Sequence, residues 1–293
     1  MEPDYVKLKQ IKPALAGYIR ESQLLLKQSE LPDEKAIHDV RVLMKKSRAL
    51  LKLVSPQITD EFHVKDIDAL REVGRILSSW RETSVQRKTL KEFRKKYPEI
   101  FSRLTTDEVL NSLLEKQAPV HVLSPEKKAD LEKADDLLTK TAYRIRFRSM
   151  NSLDPTLLIK ELEKTYLKVS AIYISCRNNP KPELIHRFRK RSKDFLYQLN
   201  IFRQLNPSIV KSVEKRLDAM TQNLGKYNDI TQIIKSLGYN YKAETNLHPL
   251  NELIIRFRDA QDDHLEDVWP SAYKIFCPGQ KLVNVMGFKL LII

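Results

Sequence analysis

Two segments of this chain, 148 residues apart, open on a histidine and repeat the same spacing of bases: His38, Arg41 and Lys45 in the first, His186, Arg189 and Lys193 in the second. A second pair of landmarks keeps the register. Leu77-Ser78-Ser79-Trp80-Arg81-Glu82 begins 39 residues past the first histidine, and Leu224-Gly225-Lys226-Tyr227-Asn228-Asp229 begins 38 past the second. Both read as leucine, small residue, two variable positions, polar residue, acid. A period near half the chain length predicts a duplicated unit, and this restricts the fold more than any local propensity does. The expected division is 1–150 for the first repeat and 151–293 for the second, with Asn151 to Pro155 as the boundary.

Only six glycines occur in 293 residues, and glycine-poor chains rich in Leu, Lys and Glu favour helix. Almost every stretch between prolines carries a helical period, and alternating runs of strand length are essentially absent. The first half predicts a helix ending before Leu31, one from an Asp33 N-cap to Ser55-Pro56, one over about 60–79, and one from near Arg81 to Tyr97. Residues 98–125 read as a short helix between loops. Ser124-Pro125 then opens a helix reaching about Met150. The second half predicts helices over 155–176, 183–205, 207–224, 226–237 and 251–267, with 238–250 as a polar connector. The expected fold is therefore all-α: two four-helix bundles related by a pseudo-twofold axis.

On a helical wheel, His38, Arg41, Lys45, Arg48 and Lys52 fall within an arc of about 80°. Val40, Leu43, Leu50, Leu51 and Val54 lie opposite. A solvated helix face usually mixes Glu with Lys one turn apart, because such pairs stabilise the helix. Here like charges sit four and seven apart, interrupted in sign only by Asp39, which predicts an external anion. Two such stripes brought together by a pseudo-twofold would line a central basic groove. Guanidinium groups take phosphate oxygens in a bidentate fork, lysines act as point charges, and histidine adds a donor whose protonated form a phosphate favours. Binding should then strengthen as pH falls and weaken with salt.

The net charge of +14 points the same way, toward a polyanionic partner. Residues 1–150 carry 30 Lys/Arg against 23 Asp/Glu and residues 151–293 carry 22 against 15, so each half contributes +7. The charge is not a basic tail. The two cysteines, Cys176 and Cys277, form neither a disulfide framework nor a metal knuckle, which suits a reducing, cytoplasmic location. No secretory leader is expected from the acidic start, and no apolar run is long enough to span a bilayer. The apolar stretch from Leu282 to Ile293 is expected as a strand or helix end docked on the core.

The H-D-x-R-x-x-x-K-K-x-R run from His38 to Arg48 resembles the signature of the CHAD family, helical domains named for their histidines. The His186–Tyr197 run, H-x-x-R-x-x-x-K-x-x-x-Y, is similar to that family's second half. Leu77–Val85 and Leu224–Asp229 look like its L-G-x-x-R-D-x-D-V and L-G-x-x-N-D elements. The resemblance covers about residues 10–240. It implies two similar four-helix bundles and a central basic groove that binds inorganic polyphosphate. The anion-contacting residues it implies are His38, Arg41, Lys45, Lys46, Arg48, His186, Arg189 and Lys193; Lys52 joins them from the wheel and Tyr197 as a phenol at the rim. This sequence departs from the pattern at Ser78, Glu82 and Ser84, where the family has a glycine and two aspartates. It departs again at Asp194 and Leu196, which align with Lys46 and Arg48.

Three functions compete. The first is non-enzymatic binding of inorganic polyphosphate, for recruitment, storage or association with polyphosphate granules. The second is nucleic-acid binding, expected to be weak and nonspecific because the stripe lacks base-reading amides and stacking aromatics. The third is a polyphosphate-processing phosphohydrolase, disfavoured because the stripes offer neither metal-holding carboxylates, a nucleophile nor a glycine-rich phosphate loop. No cofactor or metal is expected. His63, His121, His248 and His264 read as structural or surface residues, and Trp80 and Tyr227 as packing aromatics.

Overall fold

A computed structural model describes residues 11–29, 31–58, 61–78, 82–105, 107–114, 124–150, 153–238 and 249–288. Trp80, His121, His248 and the side chains of Glu82 and Ser84 lie outside the described residues. Among the described residues the chain is all-α, with no strand. The helices are α1 (Ile11–Lys27), α2 (Glu34–Val54), α3 (Phe62–Ile76), α4 (Glu82–Lys96), α5 (Pro98–Ser102), α6 (Glu108–Leu114) and α7 (Pro125–Phe147). They continue with α8 (Pro155–Asn178), α9 (Pro182–Leu199), α10 (Pro207–Gly238), α11 (Pro249–Phe276) and α12 (Leu282–Met286).

Proline opens α5, α7, α8, α9, α10 and α11. Its fixed φ suits the first helical position, and the N–H it lacks would have no intrahelical acceptor there. Side chains cap helix starts as well, at α2, α8 and α7 among others. Asp33 accepts from the Ala36 amide at 2.6 Å, Asp154 from Thr156 at 2.8 Å and Ser124 from Lys127 at 3.3 Å.

α1 packs on α2 and α7, and α3 on the same two helices. α8 packs on α9 and α11, and α10 on the same two. α2 and α9 join these sets across the midpoint. One apolar core runs through both, from Ile11 on α1 to Phe276 on α11. A smaller core holds α4, α5 and α6 against α10 and α11, with Leu90, Phe101 and Leu110 meeting Ile233, Leu253 and Phe257. Helices from the first half of the sequence are thus anchored on helices from the second.

Three predicted boundaries fall elsewhere. α10 is one helix of 32 residues and does not break at Gly225. Its buried positions Val210, Val213, Leu217, Met220, Leu224 and Tyr227 alternate spacings of three and four straight through the glycine, so the same face stays on the core. α11 continues past 267 to Phe276 and carries Pro270 inside it. Phe276 is fully buried there, with ring centroids 5.7 Å from Tyr166, 6.1 Å from Phe188 and 6.0 Å from Phe195. That burial offsets the backbone hydrogen bond that proline removes. The predicted 183–205 helix also ends at Leu199 and tightens into a 3-10 turn over Asn200–Leu205. Near the C-terminus, Leu282 and Met286 of α12 are buried in the main core.

Candidate functional site

Val40, Leu43, Leu50, Leu51 and Val54 are all buried, which fixes the rotation of α2 and turns its basic arc toward α3. Between the two helices lies an open cleft of about 230 Å³ lined by Arg41, Lys45 and Arg48 of α2 and by Arg71, Gly74, Arg75 and Ser78 from α3 and its C-terminal turn. Five of those seven lining residues are cations and none is an acid. Arg41 is held in place by donating from Nη1 to the Leu77 carbonyl at 3.2 Å.

Arg71 and Arg75 did not figure in the sequence reading. They sit one turn apart on α3, with Gly74 and Ser78 leaving room on the same face. Arg71 pairs with Asp68, and Arg75 pairs through two 2.7 Å bonds with Glu72. Glu72 also accepts from Lys133 at 2.9 Å, and its carboxyl is held down at about 2, chiefly by the Arg75 and Lys133 hydrogen bonds. These pairs are exposed and are worth little in water, so they can rearrange around an anion.

Arg48 is half-buried where it lines the cleft. Its Nε is buried without a hydrogen-bond partner. Burial holds the guanidinium below its ordinary range, Asp194 counters this, and Arg71 adds a smaller push downward. Lys52, one turn further on, is ion-paired at 2.8 Å with Asp194 of α9. Asp194 is buried and also lies 3.6 Å from Arg191. The Gln198 amide donates to the Ala49 carbonyl at 3.0 Å. Residue numbers fall on α9 as they rise on α2, so the helices cross antiparallel. Lys190 at the crossing is held below its ordinary range by partial burial and then by Lys52, with Asp194 offsetting.

Lys46 occupies another side of α2. Its Nζ lies 5.5 Å from the centroid of the Tyr18 ring on α1, and it does not line the cleft. The wheel places it about 80° from His38, outside the basic arc. His38 is half-buried on the arc one turn before Arg41.

The second stripe faces α10. His186 Nδ1 is 3.0 Å from Asn228 Oδ1. Arg189 donates from Nε to the Thr221 carbonyl at 3.3 Å. Its guanidinium covers Gly225, where a Cβ would sit 3.2 Å from both Nε and Nη2. The glycine therefore serves a close approach and not a helix end. Lys193 is ion-paired with Asp218 at 2.9 Å and lies 5.9 Å from the centroid of the Tyr197 ring. Tyr197 is buried, and burial pushes its phenol up to about 12. Tyr227 is buried in the main core.

The model of the CHAD domain matches residues 10–237. The chain belongs to the CHAD family. No curated protein matches it. The CHAD match takes in both histidine helices, the α2–α3 cleft and α10, and it stops before α11. α11 nevertheless closes the CHAD core, since Phe276 fills the space between Tyr166, Phe188 and Phe195. Among the described residues no helix of this CHAD protein is long and apolar enough to cross a membrane.

Proposed function

We propose that this protein binds inorganic polyphosphate, and does not process it, in a basic groove that starts at the α2–α3 cleft. The observation that carries the reading is the charge of that cleft: Arg41, Lys45, Arg48, Arg71 and Arg75 line it without a carboxylate among the lining residues. Cations so crowded are destabilised by one another, and a multiply charged linear anion relieves this while supplying acceptors to several forks at once. In this reading the α1–α2–α3–α7 and α8–α9–α10–α11 sets are two bundles that arose by duplication. Their histidine helices flank one groove across the α2–α9 crossing. A cytoplasmic role at polyphosphate deposits follows from the same ligand.

The test is titration calorimetry with long-chain polyphosphate, tripolyphosphate and a single-stranded RNA of matched charge, at about 150 mM salt where bulk charge effects are screened. Wild type should bind long polyphosphate most tightly. Arg41→Glu with Lys45→Glu should abolish that binding with helicity retained, and the milder Arg41→Gln with Lys45→Gln should weaken it. Unchanged affinity in the folded variants, or tighter binding to RNA, would overturn the reading. Phosphate release from the polymer with added magnesium would overturn its non-enzymatic part.

A further inference from the structure

A larger cleft, of about 400 Å³, lies between the first turn of α2 and the length of α4, lined by Glu34, Arg87, Lys88, Lys91, Glu92 and Lys95. From the sequence, only Lys95 among them stands out, in the run Arg94-Lys95-Lys96 that widens the basic surface. α4 is seated by its apolar side: Leu90 is fully buried, and the Phe93 ring lies 4.5 Å from that of Phe257 on α11. With that side fixed, Arg87, Lys88, Lys91 and Lys95 share an arc of about 100° directed at α2. Among the described residues none of these four bases is ion-paired. Arg87 carries a further sign, an unmet donor, because its Nε is buried with no hydrogen-bond partner. Glu34 and Glu92 lower the lining charge from +4 to +2, so this cleft is electropositive but weaker than the α2–α3 cleft.

The position of Glu34 connects the two. It precedes His38 by one helical turn and lies on the same face of α2 as His38, Arg41, Lys45 and Arg48. An anion leaving the α2–α3 cleft toward the N-terminus of α2 therefore passes His38 and arrives at α4. The levels of Arg48 and Glu34 are about 21 Å apart, at 1.5 Å of rise per residue. A compact triphosphate cannot occupy both ends of such a path, whereas a long polymer can.

We infer that the α4 cleft is a second subsite for the same linear phosphate polymer, filled only by chains long enough to reach it, so that α4 sets a preference for chain length. This rests on the polyphosphate reading above. The four bases act as point charges and forks on successive phosphates, and no covalent step is involved.

The experiment compares the full chain with Lys91→Gln/Lys95→Gln and with Glu92→Gln, all at exposed positions of α4, using long-chain polyphosphate and tripolyphosphate across a salt series. The lysine variant should bind the long chain about tenfold more weakly. Its dependence of log K on log salt should be shallower by about two, one for each lysine lost. Tripolyphosphate binding should not change, and Glu92→Gln should strengthen long-chain binding alone. An unchanged long-chain affinity and salt slope, or an equal loss for both ligands, overturns the inference. If Arg41→Glu/Lys45→Glu abolishes binding while the α4 variants do nothing, the α4 subsite fails and the polyphosphate reading stands. If wild type binds neither phosphate ligand, both fall.

Discussion

Replacing Asp194 by asparagine should make this protein less stable and a better anion binder at once. The carboxylate lies 2.8 Å from Lys52 and 3.6 Å from Arg191, with 13% of its side chain exposed against 33% for Lys52 and 45% for Arg191. At an effective dielectric of 20, the Lys52 contact alone is worth about 6 kcal/mol of gross attraction. Desolvation of the carboxylate cancels much of that, asparagine still accepts a hydrogen bond, and the partly exposed Lys52 can recover water. The net loss of folding stability should be about 2 kcal/mol, below the range for a fully buried pair. The cleft changes in the opposite sense. Asp194 is the acid that favours the charged form of Arg48, which lines it. Removing one negative charge at this range should strengthen polyphosphate binding by about 1 kcal/mol, or about fivefold, with the gain shrinking as salt rises. Urea unfolding gives the first quantity and calorimetry the second. A folded variant in which affinity falls along with stability, or does not move, refutes the reasoning, because Asp194 would then be a strut whose charge the ligand does not sense.

Two further outcomes follow from the geometry. Burial raises the Cys176 thiol from 9.0 to about 12 and the Tyr197 phenol from 10.0 to about 12, so the folded state holds both protons more tightly than the unfolded state does. Their contribution is fully present below pH 9 and is lost as pH rises toward 12; the urea midpoint should fall across that window, and less so in Cys176→Ala, while a midpoint independent of pH up to 12 would contradict this. Asp218→Asn releases Lys193 from its 2.9 Å ion pair, and tripolyphosphate should then show a second, weaker binding event at the α9–α10 stripe; a stoichiometry and affinity equal to wild type would show that Asp218 does not restrain that site.

What could be read from the sequence was the rotation of each helix, and what could not was the element it faces. The apolar side of α2 is buried where the wheel puts it, and Asp33, Ser124 and Pro125 start helices where their chemistry predicts. The same wheel already sets Lys46 apart, and the Tyr18 contact shows where it goes instead. In the sequence Arg71 and Arg75 are simply two bases within a helical turn of Asp68 and Glu72. Their part in the cleft depends on α3 packing beside the basic arc of α2, which no single-helix pattern encodes. The sequence marks Asp194 as a departure but hides its partner for the same reason: it lies off the basic arc of its own helix and meets Lys52 only because α2 and α9 cross. Gly225 carried a signal that propensity misread, since a glycine inside a helix can mark a close approach as readily as an end.

The two stripes also differ in what each faces, and one position decides much of it. Arg71 stands six residues before Leu77, and Asp218 stands six before Leu224, so the landmarks that align the halves set an arginine against an aspartate. On α3 that position adds a cation to the cleft holding Arg41, Lys45 and Arg48; on α10 it supplies an internal counter-ion to Lys193. The positions matching Arg48 and Lys52 are Leu196 and Asn200, so the second stripe also lacks the bases that continue the first. At the α2–α3 cleft an anion meets Arg71 and Arg75, whose acid partners Asp68 and Glu72 form exposed pairs that cost little to exchange, whereas at α9–α10 it must displace Asp218 from a lysine only 21% exposed. Affinity should therefore begin at α2 and α3. The similar total charge of the two sequence halves conceals this, because function depends on where each carboxylate is held and not on how many there are.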